Sequence, residues 1–158
     1  LEAMMFAKLG PELLNRSPFD LSGGEKRRVA IAGIIAMKPE VLILDEPTAG
    51  LGPVSKEGIL NSICEYHRQT GNVIIFISHV MEDVARISDK VMVMDKGNLI
   101  MYDAPENIFS RREELNKMGL EVPQVTKIIN KVHNKLDIKH KCVITVDGAV
   151  EDIIENMC

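Results

Sequence analysis

Two short apolar runs limit the fold of this chain more than any other feature: Val41-Leu42-Ile43-Leu44 and Val73-Ile74-Ile75-Phe76-Ile77. Each is rich in β-branched residues, bounded by polar ones and shorter than an ordinary helix. Continuous rather than alternating apolar character marks a strand covered on both faces, the usual state of a parallel sheet. A third run, Lys90-Val91-Met92-Val93-Met94, leads into the turn residues Lys96-Gly97-Asn98, and residues 99–102 return as a hairpin strand. Helices are expected over residues 54–69 and 81–87. Strand, helix, strand, helix, strand is the order of an α/β protein with a mainly parallel sheet. Ligands of such sheets bind at the carboxyl ends of the strands, where Asp45, Glu46 and His79 fall.

The flanking segments follow the same logic. Residues 1–9 read as the end of a helix stopped by Gly10-Pro11, and residues 11–21 as a short connection. Ser22-Gly23-Gly24-Glu25 fits a capping box and opens a helix whose apolar stripe runs through Val29, Ala32, Ile35 and Ala36 and ends before Pro39. From about Asp103 the texture changes. A small helix led by Pro105 over 104–110, a helix over 123–136, a short strand over 142–146 and a last helix over 149–157 form a small α+β appendix. The expected division is therefore 1–103 and 104–158.

Three stretches carry chemistry. In Leu21-Ser22-Gly23-Gly24-Glu25 two glycines at a helix mouth let backbone approach an anion, and the helix N-terminus supplies N–H groups and partial positive charge. The plain alternative is a capped helix start. Asp45 and Glu46 end an apolar strand, a place from which one carboxylate can hold the water shell of Mg²⁺ and the next can polarise an attacking water. The plain alternative, two solvated acids, is weakened by the turn Pro47-Thr48-Ala49-Gly50 directly behind them. His79 can bond a phosphate or position water, or simply cap the next helix.

Composition excludes several classes. The 158 residues are 46% apolar with no Trp, so a core is built from Ile, Val, Leu, Ala and Met. A net charge of −4 argues against a nucleic-acid partner. No apolar run approaches the roughly 20 residues of a membrane span, and no signal peptide is expected. Cys64, Cys142 and Cys158 are widely spaced, as expected in a reducing cytosol. His133, His140 and Cys142 fit no standard zinc spacing.

Taken in order, Leu21-Ser22-Gly23-Gly24-Glu25, Val41 through Thr48, and Ile77-Ser78-His79 resemble the second half of an ATP-binding-cassette (ABC) ATPase, a P-loop NTPase fold. The resemblance implies that residues 21–25 form the signature motif that closes over ATP held by the opposite subunit. It implies that Asp45 is the Walker B aspartate serving Mg²⁺, Glu46 the catalytic glutamate and His79 the switch histidine. Asn15 to Asp20, Lys26 to Gly33, Pro47 to Leu51 and Pro123 to Lys127 are similar to the ATPases of energy-coupling-factor (ECF) importers of cobalt, nickel and vitamins. The implied partners are a second ATPase subunit, identical or different, a transmembrane coupling protein and a substrate-capture membrane protein. The implied location is peripheral, on the cytoplasmic face of the cell membrane.

The chain departs from the family twice. It contains no G-x-x-x-x-G-K-[ST] stretch, the loop that wraps phosphates and supplies a Lys. In the family that loop precedes the signature, so the expectation is an incomplete chain that does not hydrolyse ATP alone. Gly52 stands where the family carries Asp, which implies weakened communication between subunits. Two other readings compete: a non-hydrolysing remnant that only donates its signature motif, and a soluble DNA-repair or ribosome-associated ABC protein. The second lacks its expected coiled coils and basic stretches here.

Overall fold

The computed structural model describes residues 2–138 and 141–157. His140 and Cys158, and the first residue of the helix expected over 1–9, lie outside the described residues. The chain packs as two compact units that divide between Ser78 and His79, well before the change of sequence texture near residue 103.

The first unit contains α1 (Glu2–Phe6), two short 3-10 turns (Pro11–Asn15 and Pro18–Asp20), α2 (Gly23–Ile35), β1 (Val41–Asp45), α3 (Pro53–Thr70) and β2 (Val73–Ile77). β1 and β2 pair in parallel, with Val41 opposite Val73 and Asp45 opposite Ile77. α3 is the crossover between them, begun by Pro53 at its first turn and ended by Gly71 in the left-handed region at φ 68°. Asn72 fixes its exit, donating to the carbonyl of Pro39 at 2.7 Å and to the Tyr66 hydroxyl at 3.3 Å. The core gathers Ile31 and Ile35 of α2, Leu42 and Leu44 of β1, and Ile59, Ile63 and Tyr66 of α3. Each fully buried aliphatic side chain contributes about 1.5–3 kcal/mol.

The strands are covered on one face only, which corrects the expectation of strands buried on both. Alternate residues Val41, Ile43, Val73, Ile75 and Ile77 remain exposed, Ile43 to 59%. The physical reason is simple: α2 and α3 both pack on the Leu42–Leu44 side.

The second unit contains α4 (Met81–Ile87), β3 (Val91–Asp95), β4 (Asn98–Asp103), α5 (Pro105–Ser110), α6 (Arg112–Lys117), α7 (Gln124–Leu136) and α8 (Val146–Met157). β3 and β4 form an antiparallel hairpin. Its two-residue turn has both Lys96 (φ 48°) and Gly97 (φ 79°) in the left-handed region, the requirement of a tight hairpin turn that matches strand twist. Among the described residues parallel pairing is thus confined to β1 and β2.

The strand expected over 142–146 does not form. Val143 and Ile144 are buried in an irregular segment, and Val146 already begins α8. The backbone there is satisfied otherwise: the Thr126 hydroxyl of α7 donates to the Val143 carbonyl at 2.6 Å. Val143 packs with Ile129 and Ala149 in a small cluster between α7 and α8. Beside it His133 and Asp152, 2% and 3% exposed, meet at 2.6 Å between Nε2 and Oδ2.

Candidate functional site

Ser22 sits in extended backbone (φ −61°, ψ 160°) and caps α2 reciprocally. Its hydroxyl accepts the Glu25 N–H at 3.3 Å, while Glu25 Oε2 accepts the Ser22 N–H at 2.8 Å and the Ser22 hydroxyl at 2.6 Å. These bonds, the hydroxyl first and the backbone N–H second, hold the Glu25 carboxyl below the usual carboxylate range. Leu21 is buried and anchors the stretch, whereas Ser22 and Gly23 are exposed. Apart from its chain neighbours and the backbone of its own helix, nothing lies within 4 Å of the place a Gly23 side chain would start. The mouth of α2 is therefore an open, amide-lined helix end of the kind that receives an anion.

The acid pair stands at the carboxyl end of β1. Asp45 is exposed and Glu46 half-buried. Glu46 has φ 46°, a left-handed conformation that costs a non-glycine residue about 1–3 kcal/mol and persists only where surrounding structure imposes it. That structure is visible. The Glu46 N–H donates to Ile77 at the end of β2 at 2.9 Å, and the Glu46 carbonyl accepts the Ala49 N–H at 3.2 Å. A second turn follows from the Leu51 N–H to the Thr48 carbonyl at 3.3 Å, with Gly50 at φ 71° and Thr48 buried. Successive turns thus fix the backbone that presents the carboxylates.

α2 and the loop after β1 touch within the same unit. Arg27, in the first turns of α2, donates from its guanidinium to the Ala49 carbonyl at 3.3 Å. A Cβ added to Gly24 would stand 3.0 Å from the Ser55 hydroxyl of α3. Neither contact was legible in the sequence, since an arginine bond to a backbone carbonyl 22 residues away leaves no spacing signature. Gly52 caps α3 with ordinary extended backbone, no side-chain bond and open space around it.

His79 is exposed and opens the second unit, one residue ahead of Val80, which caps α4. One depression of the first unit is lined by Phe6, Ile35, Lys38, Tyr66 and neighbours, none of them a site residue. The candidate site is instead a surface of helix and strand ends. Among the described residues no three His, Cys, Asp or Glu side chains gather to hold a metal. An exposed carboxylate beside a half-buried one suits Mg²⁺, which keeps most of its waters and takes its other ligands from phosphates.

The family model described as ABC transporter matches residues 1–49. The energy-coupling factor transporter ATP-binding protein EcfA2 of Caldanaerobacter subterraneus subsp. tengcongensis is 47% identical over 153 residues, which is 97% of this chain and 54% of that protein. The structure of cbiO1 from Clostridium perfringens, part of the ABC transporter complex cbiONQ, superposes with TM-score 0.65 at 33% identity, covering 87% of this chain and 51% of that one. A dimeric bacterial ABC transporter cassette superposes with TM-score 0.58 at 27% identity, covering 66% of this chain and 44% of that one. The chain spans about half the length of the relatives it matches. A helix capped by Ser22 and Glu25, an acid pair ending a parallel strand, and this set of likenesses lead to one assignment: the chain belongs to the ABC transporter family of ATP-binding proteins.

Proposed function

We propose that this chain is the signature- and acid-bearing part of an ATP-hydrolysing subunit that powers ECF-type import of a small nutrient, a metal ion or a vitamin. The observation that carries the reading is the acid pair. Glu46 is held in left-handed backbone by two hydrogen bonds at the carboxyl end of β1, in a chain 47% identical to an ECF ATP-binding protein.

In this reading Glu46 accepts the proton of the water that attacks the terminal phosphate, a step worth about 10²–10⁴-fold when the base is well placed. Asp45 holds the water shell of Mg²⁺, which when bound neutralises phosphate charge. His79 bonds the terminal phosphate or orients the water. Leu21 anchors the signature, and Ser22, Gly23, Gly24 and Glu25 present the α2 mouth to ATP held by a second subunit. Residues 1–103 form the ATPase part and 104–158 an extension that supports pairing. Among the described residues no helix is long and apolar enough to cross a membrane. Crossing then falls to a transmembrane coupling protein and a substrate-capture protein, with this subunit peripheral on the cytoplasmic face.

The test is Mg-ATP hydrolysis and nutrient uptake by the full-length subunit assembled with its membrane partners in vesicles. Hydrolysis coupled to uptake is the expected result. An assembled complex that binds ATP but never turns it over sinks the reading and favours a chain that only donates its signature motif.

A further inference from the structure

We infer that Arg27 is a positioning residue for Glu46, a brace within one chain between the signature helix and the acid loop; the inference rests on the ATPase reading above. Ala49 is the node. Its carbonyl accepts the Arg27 guanidinium at 3.3 Å, and its N–H donates to the Glu46 carbonyl at 3.2 Å. Glu46 is tied in turn to β2 through its own N–H and the Ile77 carbonyl at 2.9 Å. Arg27, Ala49, Glu46 and Ile77 therefore form a continuous series of hydrogen bonds from α2 to the sheet. The Gly24–Ser55 approach closes a second contact between the mouth of α2 and the first turn of α3, which begins where the acid loop ends.

The arrangement has a mechanical consequence. Glu46 occupies a backbone conformation that relaxes unless its neighbours hold it. Arg27 is half-buried and charged, and hydrogen bonds to charged donors are the stronger ones. Load applied to the first turn of α2 by a nucleotide at its mouth thus reaches the loop that orients the Glu46 carboxylate. Arg27 itself need touch neither nucleotide nor water.

The experiment uses the full-length subunit in its assembled transporter, with Arg27→Ala and Arg27→Lys, steady-state ATP kinetics, thermal melting and amide exchange. Arg27→Ala lowers kcat about tenfold while KM for ATP stays within about twofold. Its melting temperature stays within about 2 °C of the parent, and exchange at the Ala49 amide quickens. Arg27→Lys, which still donates to the Ala49 carbonyl, recovers a substantial part of kcat. A kcat within about twofold of the parent in Arg27→Ala overturns the inference. A loss of kcat that tracks lost melting temperature, or Ala49 exchange that does not move, overturns it equally. If the parent complex hydrolyses no ATP, the ATPase reading itself fails, and the exchange data alone decide whether the brace exists.

Discussion

The loop after β1 and the α7–α8 pair hold their polar residues in opposite ways. In the loop, backbone does the holding: turns through Ala49 and Leu51 and the bond to Ile77 fix Glu46, while Asp45 stays in water and Glu46 stays half exposed. Between α7 and α8, side chains do the holding: His133 and Asp152 are buried against each other, and Asn156 donates to the Asp152 carbonyl at 2.8 Å. The difference teaches how to tell ionisable groups apart in this molecule. In the function proposed above, the groups offered to a ligand are those presented by a rigid backbone, whereas the groups that hold the α7–α8 pair together are out of water and paired.

The largest effect that separates the two regions belongs to the buried pair. Asp152→Ala removes the carboxylate that meets buried His133, and truncating one side of a buried hydrogen-bonded pair costs about 1–3 kcal/mol. Denaturant unfolding and exchange protection in α7 and α8 should register that loss, while turnover per folded molecule holds. Lost turnover at unchanged stability would erase the distinction. A smaller effect is expected at Gly52. Gly52→Asp meets no steric obstacle and fits the extended backbone there, so it adds a cap to α3 worth a few tenths of a kcal/mol. In the full-length subunit it should also raise turnover, about twofold; unchanged kinetics would show that the glycine does not weaken communication between subunits.

The smallest effect is in the pH dependence. The folded Glu25 carboxyl lies below its ordinary value because Ser22 donates to it. A depressed carboxyl contributes stability that is full above the unfolded value of about 4.3 and lost as pH falls through the lower folded value. Glu25→Gln should therefore flatten the acid limb of a stability–pH curve below about pH 4.3. An acid limb identical to the parent would show that the capping box contributes nothing there.

Much of this was legible in the sequence, for reasons that can be named. The Ser22–Glu25 box, the apolar cores of β1 and β2 and the glycine-bearing hairpin turn are local signals, and each formed as read. What escaped depends on distant partners. α6 offers only Leu115 to a core, too little periodicity to find. Residues 142–146 have strand composition, but Val143 and Ile144 are drawn inward against α7 and the Thr126 hydroxyl takes the backbone acceptor. Both-face burial of β1 and β2 was inferred from composition, whereas helices cover one side. The left-handed Glu46 and the Arg27 brace have no local code at all.

The central claim is that the backbone-fixed Glu46 is the base of an ATP hydrolysis reaction. Its most direct test is single-turnover hydrolysis and nucleotide binding by the assembled full-length subunit carrying Glu46→Gln, which keeps shape and removes the proton acceptor. The account predicts a fall in the hydrolysis step of about a hundredfold or more with ATP affinity retained. Hydrolysis within about twofold of the parent would contradict it and move the search for the base away from the end of β1.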